Sequence, residues 1–251
     1  MMNLKLSNEK ICNGSLILVN ADNPMRITEE EKLLPVTPEY PEVHLMREAV
    51  YILSLIFEKI HCGGDIVPVS GYRSAKEQTE IYRGSIRDNG EDFTRKFVAL
   101  PYHSEHQTGL AVDLGLKKEV IDFICPDFPY DGICDRFRKT APGYGFIERY
   151  PKGKERVTGI GHEPWHFRYV GYPHSEIMSA YDLTLEEYIA FIKQYPYGSE
   201  PLRWSRDGQE LEIFYAKAAG TGTTNITLPE NSVYMVSGNN VDGFIVTRHS
   251  R

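Results

Sequence analysis

Apolar positions along this chain change period several times, and each change marks an element. Between Val43 and Ile60 the apolar residues Leu45, Ala49, Ile52, Leu53, Leu55, Ile56 and Ile60 recur at helical spacing, which predicts a buried amphipathic helix. Gly63-Gly64 ends it, and Ile66-Val67-Pro68-Val69-Ser70 then has the composition of a strand. Ser74, with Glu77 three residues on, forms a capping box that opens a helix over about Ala75 to Arg83. Leu110 to Leu116 alternates as a strand does, and a period of two sets Ala111 and Asp113 on one face. Phe146 to Tyr150 and Trp165 to Val170 read as two further strands, with a turn at Lys152-Gly153-Lys154. Leu185 to Gln194 reads as a helix opened by Thr184, with Glu186 and Glu187 in the first turn, where carboxylates favour the helix dipole. Near the N-terminus, Leu16-Ile17-Leu18-Val19 reads as a short strand and Asn20 to Pro41 as an irregular, Pro-rich passage.

The texture shifts near Tyr195-Pro196-Tyr197-Gly198. Beyond it, short β-like runs at Glu210 to Ala216, Ile226 to Leu228, Val233 to Val236 and Gly243 to Thr247 are separated by Gly, Asn and Pro. The expected fold class is therefore α+β: a small central antiparallel sheet with flanking helices over residues 1–197, and a small β-rich C-terminal appendage over 198–251. At 251 residues the chain is long enough for one full domain with such an appendage.

Composition narrows the function more than the fold. A net charge of −7 without any basic stripe argues against nucleic acid. No run approaches the roughly 18 apolar residues of a membrane span, and Ser15 to Val19 is too short for a signal-peptide core. The default expectation is a cytoplasmic protein. Cys12, Cys62, Cys125 and Cys134 lie far apart with no CxxC pair, so reduced thiols are expected, with a Cys125–Cys134 bridge across a Pro/Asp/Gly loop as the alternative.

Two compact motifs carry candidate chemistry. Ser104-Glu105-His106-Gln107-Thr108-Gly109-Leu110-Ala111-Val112-Asp113 is answered some fifty residues later by Glu163-Pro164-Trp165-His166. A single His is more often structural than a ligand. Three ligand-type residues, His106, Asp113 and His166, in two motifs that each adjoin a strand favour a metal. Three protein ligands with an open fourth position is how catalytic zinc is built, and the helix-based HExxH arrangement is absent. Glu163 completes the group, either as a general base toward attacking water or as an acceptor that orients a ligand His. Arg73, in the turn after the Ile66 strand, reads as a surface residue or as a guanidinium that binds a substrate carboxylate or an oxyanion.

Ser-Gly-Tyr-Arg-Ser (70–74), Gln78, Ser104-x-His106-x-x-Gly109-x-Ala111-x-Asp113, Gly145-Phe146, Arg149-Tyr150-Pro151 and Glu163 through Gly171 closely resemble the VanY-type D-alanyl-D-alanine carboxypeptidases. These share a zinc peptidase group with the VanX dipeptidases and the bifunctional VanXY enzymes of vancomycin resistance. The resemblance spans about Leu16 to Tyr195 and implies the α+β fold of Hedgehog-type domains and murein endopeptidases. It implies one zinc ion held by His106, Asp113 and His166, Glu163 as base, and Arg73 at the scissile carbonyl. Gln78 and Ser104 would contact the C-terminal alanine, with Tyr150 and Trp165 along the groove. The implied partner is a peptidoglycan precursor ending in D-Ala-D-Ala, cleaved by a D,D-carboxypeptidase that is also a D,D-dipeptidase. An L,D-carboxypeptidase on tetrapeptides, or a zinc-holding binding module with weak catalysis, is the alternative. The resemblance assigns no role to the C-terminal appendage.

Overall fold

The computed structural model describes residues 1–26 and 33–250 and divides into two units, Met1–Leu18 with Leu185–Arg251, and Val19–Thr184. The expected boundary between 197 and 198 thus moves to the start of the Leu185 helix, and the first unit also takes in the N-terminus. Strand β1 (Met2–Ser7) explains the second change, because it belongs to the same unit as the C-terminal strands.

In the second unit, β2 (Leu33–Thr37) and β3 (Tyr40–Met46) form an antiparallel pair where an irregular passage was expected. Residues 27–32 of that passage lie outside the described residues. Helix α1 (Arg47–Lys59) consequently starts four residues later than its apolar spacing suggests. Val43 and Leu45 satisfy a period of two as well as a helical one, and pairing of Leu33 with Met46 and Leu34 with Leu45 decides for strand. β4 (Ile66–Ser70) follows. Then comes α2 (Ala75–Asn89), whose Ser74 hydroxyl accepts from the Glu77 amide at 3.2 Å while the Ser74 amide donates to Glu77 Oε2 at 2.8 Å. Gly84 does not interrupt α2, which runs on to Gly90 at φ +85°. α3 (Glu91–Phe97) is tied back to it by the Thr94 hydroxyl, 2.8 Å from Ser85 Oγ.

The remaining elements of this unit are β5 (Ala111–Leu116), α4 (Gly132–Thr140), β6 (Phe146–Tyr150), α5 (Glu155–Thr158), β7 (Glu163–Tyr169) and α6 (His174–Ala180). The four central strands expected from the sequence pair with one another in the antiparallel order β4-β5-β7-β6. Val112, Leu114 and Phe167 join Leu45, Leu53 and Ile56 and the α4 residues Cys134 and Phe137 in one buried core. Phe137 meets Phe167 edge-on at 4.8 Å. Alternation along β5 and β7 turns Asp113, His166 and Arg168 to the opposite face. All four cysteines are free thiols, so the bridge considered between Cys125 and Cys134 is not formed.

In the first unit, α7 (Leu185–Ile192) precedes β8 (Leu202–Arg206), β9 (Gln209–Lys217), β10 (Thr223–Leu228), β11 (Tyr234–Gly238) and β12 (Gly243–His249). Four of these strands form the antiparallel sheet β11-β12-β9-β8, while β10 pairs with β1 along its whole length. Leu6, Phe214, Ile226, Leu228, Phe244 and Val246 make its core. The run from Leu16 to Val19, expected as a strand, is buried without a strand partner. Ser237 Oγ accepts from the Leu16 amide at 2.9 Å, and Asn239 and Asn240 bond the amide and carbonyl of Leu18. No helix of the described residues is long and apolar enough to cross a membrane.

Leu53 is fully buried at the centre of α1. Leu53→Ala is expected to lower unfolding stability by about 2–5 kcal/mol, the range for truncating a core leucine, read from the midpoint and slope of urea denaturation.

Candidate functional site

Antiparallel pairing decides which side chains meet. The register sets Ser70 opposite Asp113 and Asp113 opposite His166, placing three polar residues in a row across β4, β5 and β7. His106 reaches the same place from a short 3-10 turn, Glu105–Thr108, just before β5. Two glycines make that approach possible. At Gly109 the backbone is left-handed (φ +67°), and a Cβ would lie 2.7 Å from Leu33 Cδ2. At Gly71 a Cβ would lie 2.3 Å from the His44 carbonyl oxygen, a collision no side chain tolerates.

The histidine tautomers follow from their contacts. The Gly71 carbonyl, 2.7 Å from His106 Nδ1, accepts its proton and leaves Nε2 as a lone-pair donor, 3.1 Å from Asp113 Oδ2. His166 Nδ1 lies 2.9 Å from Asp113 Oδ1 and 3.8 Å from Glu163 Oε2. Ligand atoms of His106, Asp113 and His166 all lie within 4.8 Å of one another, and all three residues are buried. Burial, and after it the charge of Arg73, pushes the His106 imidazole down to about 4, so it stays in the neutral form that ligates metals. Burial opposes ionisation of Asp113, yet the two imidazoles hold its carboxyl far below the usual carboxylate range. Burial would likewise depress His166, but its contacts with Asp113 and Glu105 outweigh this and raise it to about 9. A buried carboxylate crowded by two imidazole nitrogens is a donor set that fits a divalent transition metal.

Glu163 faces this group from the start of β7. Strict alternation would turn it away from His166, three residues on, but the β6–β7 ladder is irregular between Glu148 and Tyr150 and pairs Tyr150 with Glu163. Such irregularities re-aim side chains next to active sites. Burial, with Asp113 adding to it, pushes the Glu163 carboxyl up to about 8, against the pull of His166 and Arg73.

Arg73 sits across from Glu163. Its guanidinium donates to Ser70 Oγ at 3.1 Å, Gln78 Oε1 at 3.3 Å and Asp113 Oδ2 at 3.2 Å. Gln78, expected to touch substrate, lines the cavity but has its amide engaged at both ends, since Nε2 donates to the Ala99 carbonyl at 2.8 Å. Ser104 lines the same cavity. Tyr150 stands 4.9 Å from the His166 ring, and Trp165 forms a wall while also packing in the core. All nine residues singled out in the sequence line this one cavity within the second unit.

Further groups that the motifs do not announce stand behind and around them. Glu105 is buried with Arg149 Nε at 2.8 Å and Arg168 Nη1 at 2.9 Å from its Oε1. Although burial opposes it, these guanidiniums hold the Glu105 carboxyl far below its ordinary value. A signal did exist, because a period of two places Arg168 on the same face as His166. Phe123, Ile124 and Ile160 add an apolar wall that no motif announced.

Comparison with known proteins agrees with this architecture. A family model described as VanY, D-alanyl-D-alanine carboxypeptidase, matches residues 45–172. The chain is 43% identical over 183 residues to the bifunctional D-Ala-D-Ala dipeptidase and D-Ala-D-Ala carboxypeptidase VanXYC of Enterococcus gallinarum, covering 72% of this chain and 96% of that one. Among solved structures it is similar to the vancomycin-resistance D,D-dipeptidase VanXYg in complex with a D-Ala-D-Ala phosphinate analog, with a TM-score of 0.96, 55% identity and 99% of each chain covered. It is also similar to a mutant of the D,D-pentapeptidase VanY from a VanB-type resistance cassette in complex with Zn(II), with a TM-score of 0.56 and 28% identity over 70% of this chain and 98% of that one. The two buried motifs, the sheet that aligns them and these matches together place the chain in the VanY family of D-alanyl-D-alanine carboxypeptidases.

Proposed function

We propose that this protein is a zinc peptidase that hydrolyses the terminal bond of peptidoglycan precursors ending in D-Ala-D-Ala, acting as both D,D-carboxypeptidase and D,D-dipeptidase. The observation that carries the reading is the convergence of His106, Asp113 and His166 with Glu163 and Arg73 in one cavity. The names of the relatives support the substrate, and the Zn(II) complex of the VanY pentapeptidase supports the metal.

One zinc ion would be held by His106, Asp113 and His166. Such an ion supplies Lewis acidity, activating water and polarising a carbonyl. Glu163 takes the proton of the attacking water and delivers it to the leaving amine. A carboxylate whose affinity for a proton is raised by burial suits both transfers. Arg73, fixed by Ser70 and Gln78, offers a guanidinium edge to the scissile carbonyl as negative charge develops on its oxygen. Ser104 and Gln78 would contact the terminal alanine, with Tyr150 and Trp165 along the groove, a reading supported by their place in the lining of the cavity.

Three outcomes test this reading. His106→Ala is expected to lose stoichiometric zinc in metal analysis, and retention of zinc would refute the ligand set. Glu163→Gln is expected to keep its zinc while its rate drops at least ~10²-fold, the scale of a lost general base. Full activity in that variant would rule out Glu163 as the base. The wild-type protein is expected to release D-Ala from both free D-Ala-D-Ala and the UDP-linked pentapeptide. Release from only one defeats the bifunctional reading, and cleavage of tetrapeptides alone would favour an L,D-carboxypeptidase.

A further inference from the structure

Behind the metal-binding row lies a charged cluster with no access to solvent. The side chains of Glu105, Arg149 and Arg168 are each completely buried. Burying charges is expensive unless each finds a partner of good geometry. Both guanidiniums converge on one oxygen, Oε1, at 2.8 and 2.9 Å. The other oxygen, Oε2, has no hydrogen-bond partner among the described residues. It points at His166 Nε2, 3.6 Å away, which lacks a partner in the same way. A buried donor and a buried acceptor, each otherwise unsatisfied and facing each other, are complementary.

We infer that Glu105 is a positioning residue: anchored by Arg149 and Arg168, its carboxylate accepts a hydrogen bond from His166 Nε2–H and holds the ring with Nδ1 turned toward the metal-binding gap. The inference rests on the reading of His166 as a ligand. Three elements build the arrangement. Glu105 comes from the turn that also carries His106, Arg149 from β6, and Arg168 from β7 two residues beyond His166. An imidazole that donates one ring proton to a carboxylate is locked in tautomer and plane, and its other nitrogen becomes the more basic ligand. The carboxylate has a second effect. It supplies a negative charge between two guanidiniums that lie behind a cation site, which weakens their Coulomb repulsion of a metal.

The test is the zinc dissociation constant of the folded full-length protein, measured by competition with a chromophoric chelator. Glu105→Gln keeps the shape and removes the charge, and is expected to weaken zinc by about 10- to 100-fold, as loss of such an outer carboxylate does. The visible absorption of the cobalt(II)-substituted protein should shift with it. Leu53→Ala, destabilised but remote in α1, should bind zinc as the wild type does, which separates positioning from general loosening. Glu105→Asp retains the charge facing both guanidiniums but withdraws it from His166, so it should also weaken zinc. It decides alone if Glu105→Gln does not fold. Wild-type affinity and an unchanged cobalt spectrum in the folded Glu105 variants would overturn the inference while leaving the ligand set intact. Undiminished zinc binding by His166→Ala would overturn both.

Discussion

The pairing of β5 with β7 is the constraint on which the site depends. Asp113 opposite His166 is a matter of register, and a slip of one residue in either strand would turn that strand's polar residue toward the core and its apolar residues away from it. The same register turns Val112, Leu114 and Phe167 inward, so the hydrophobic effect that folds the sheet also selects the polar row. Stability and ligand geometry are thus two faces of one ladder. Where the site needs a side chain that alternation would not deliver, as with Glu163, the ladder is irregular.

Around that row the electrostatics are arranged in layers. Asp113 is pinned between two imidazoles and touched by Arg73. Glu163, with fewer opposing contacts, carries a raised proton affinity. Two carboxyls lying 2.9 and 3.8 Å from the same histidine nitrogen therefore have opposite characters, one held as an anion and one with a raised proton affinity. Separation of that kind assigns roles to neighbouring acids. Glu105 forms the layer behind, where charge is balanced away from solvent.

Much of this was legible in the sequence because its carriers are local. The proposed ligand and base residues lie in two short motifs, the start of α2 in one capping box, and the central strands in runs of apolar alternation. Features that depend on distant partners were not legible. β1 belongs with β10, more than two hundred residues away, and nothing in Met2–Ser7 names that partner. Val43 and Leu45 fit a strand and a helix equally until Leu33 and Leu34 pair with the end of β3. The helices α3 and α6 are too short for periodicity to declare them. Leu16 to Val19 has the composition of a strand, but side chains and backbone from the β11–β12 region satisfy it without a ladder. The ion cluster at Glu105 escaped because its arginines are remote in sequence and only burial gives them meaning.

The proposed zinc ligands His106, Asp113 and His166 would hold one ion through defined atoms. Crystals of the zinc-loaded protein, measured on either side of the zinc absorption edge, test this most directly. A single anomalous peak is expected, bonded to His106 Nε2, an Asp113 carboxylate oxygen and His166 Nδ1 at roughly 2.0–2.2 Å. A peak bonded through His166 Nε2, or a fully loaded crystal with its zinc elsewhere, would contradict it.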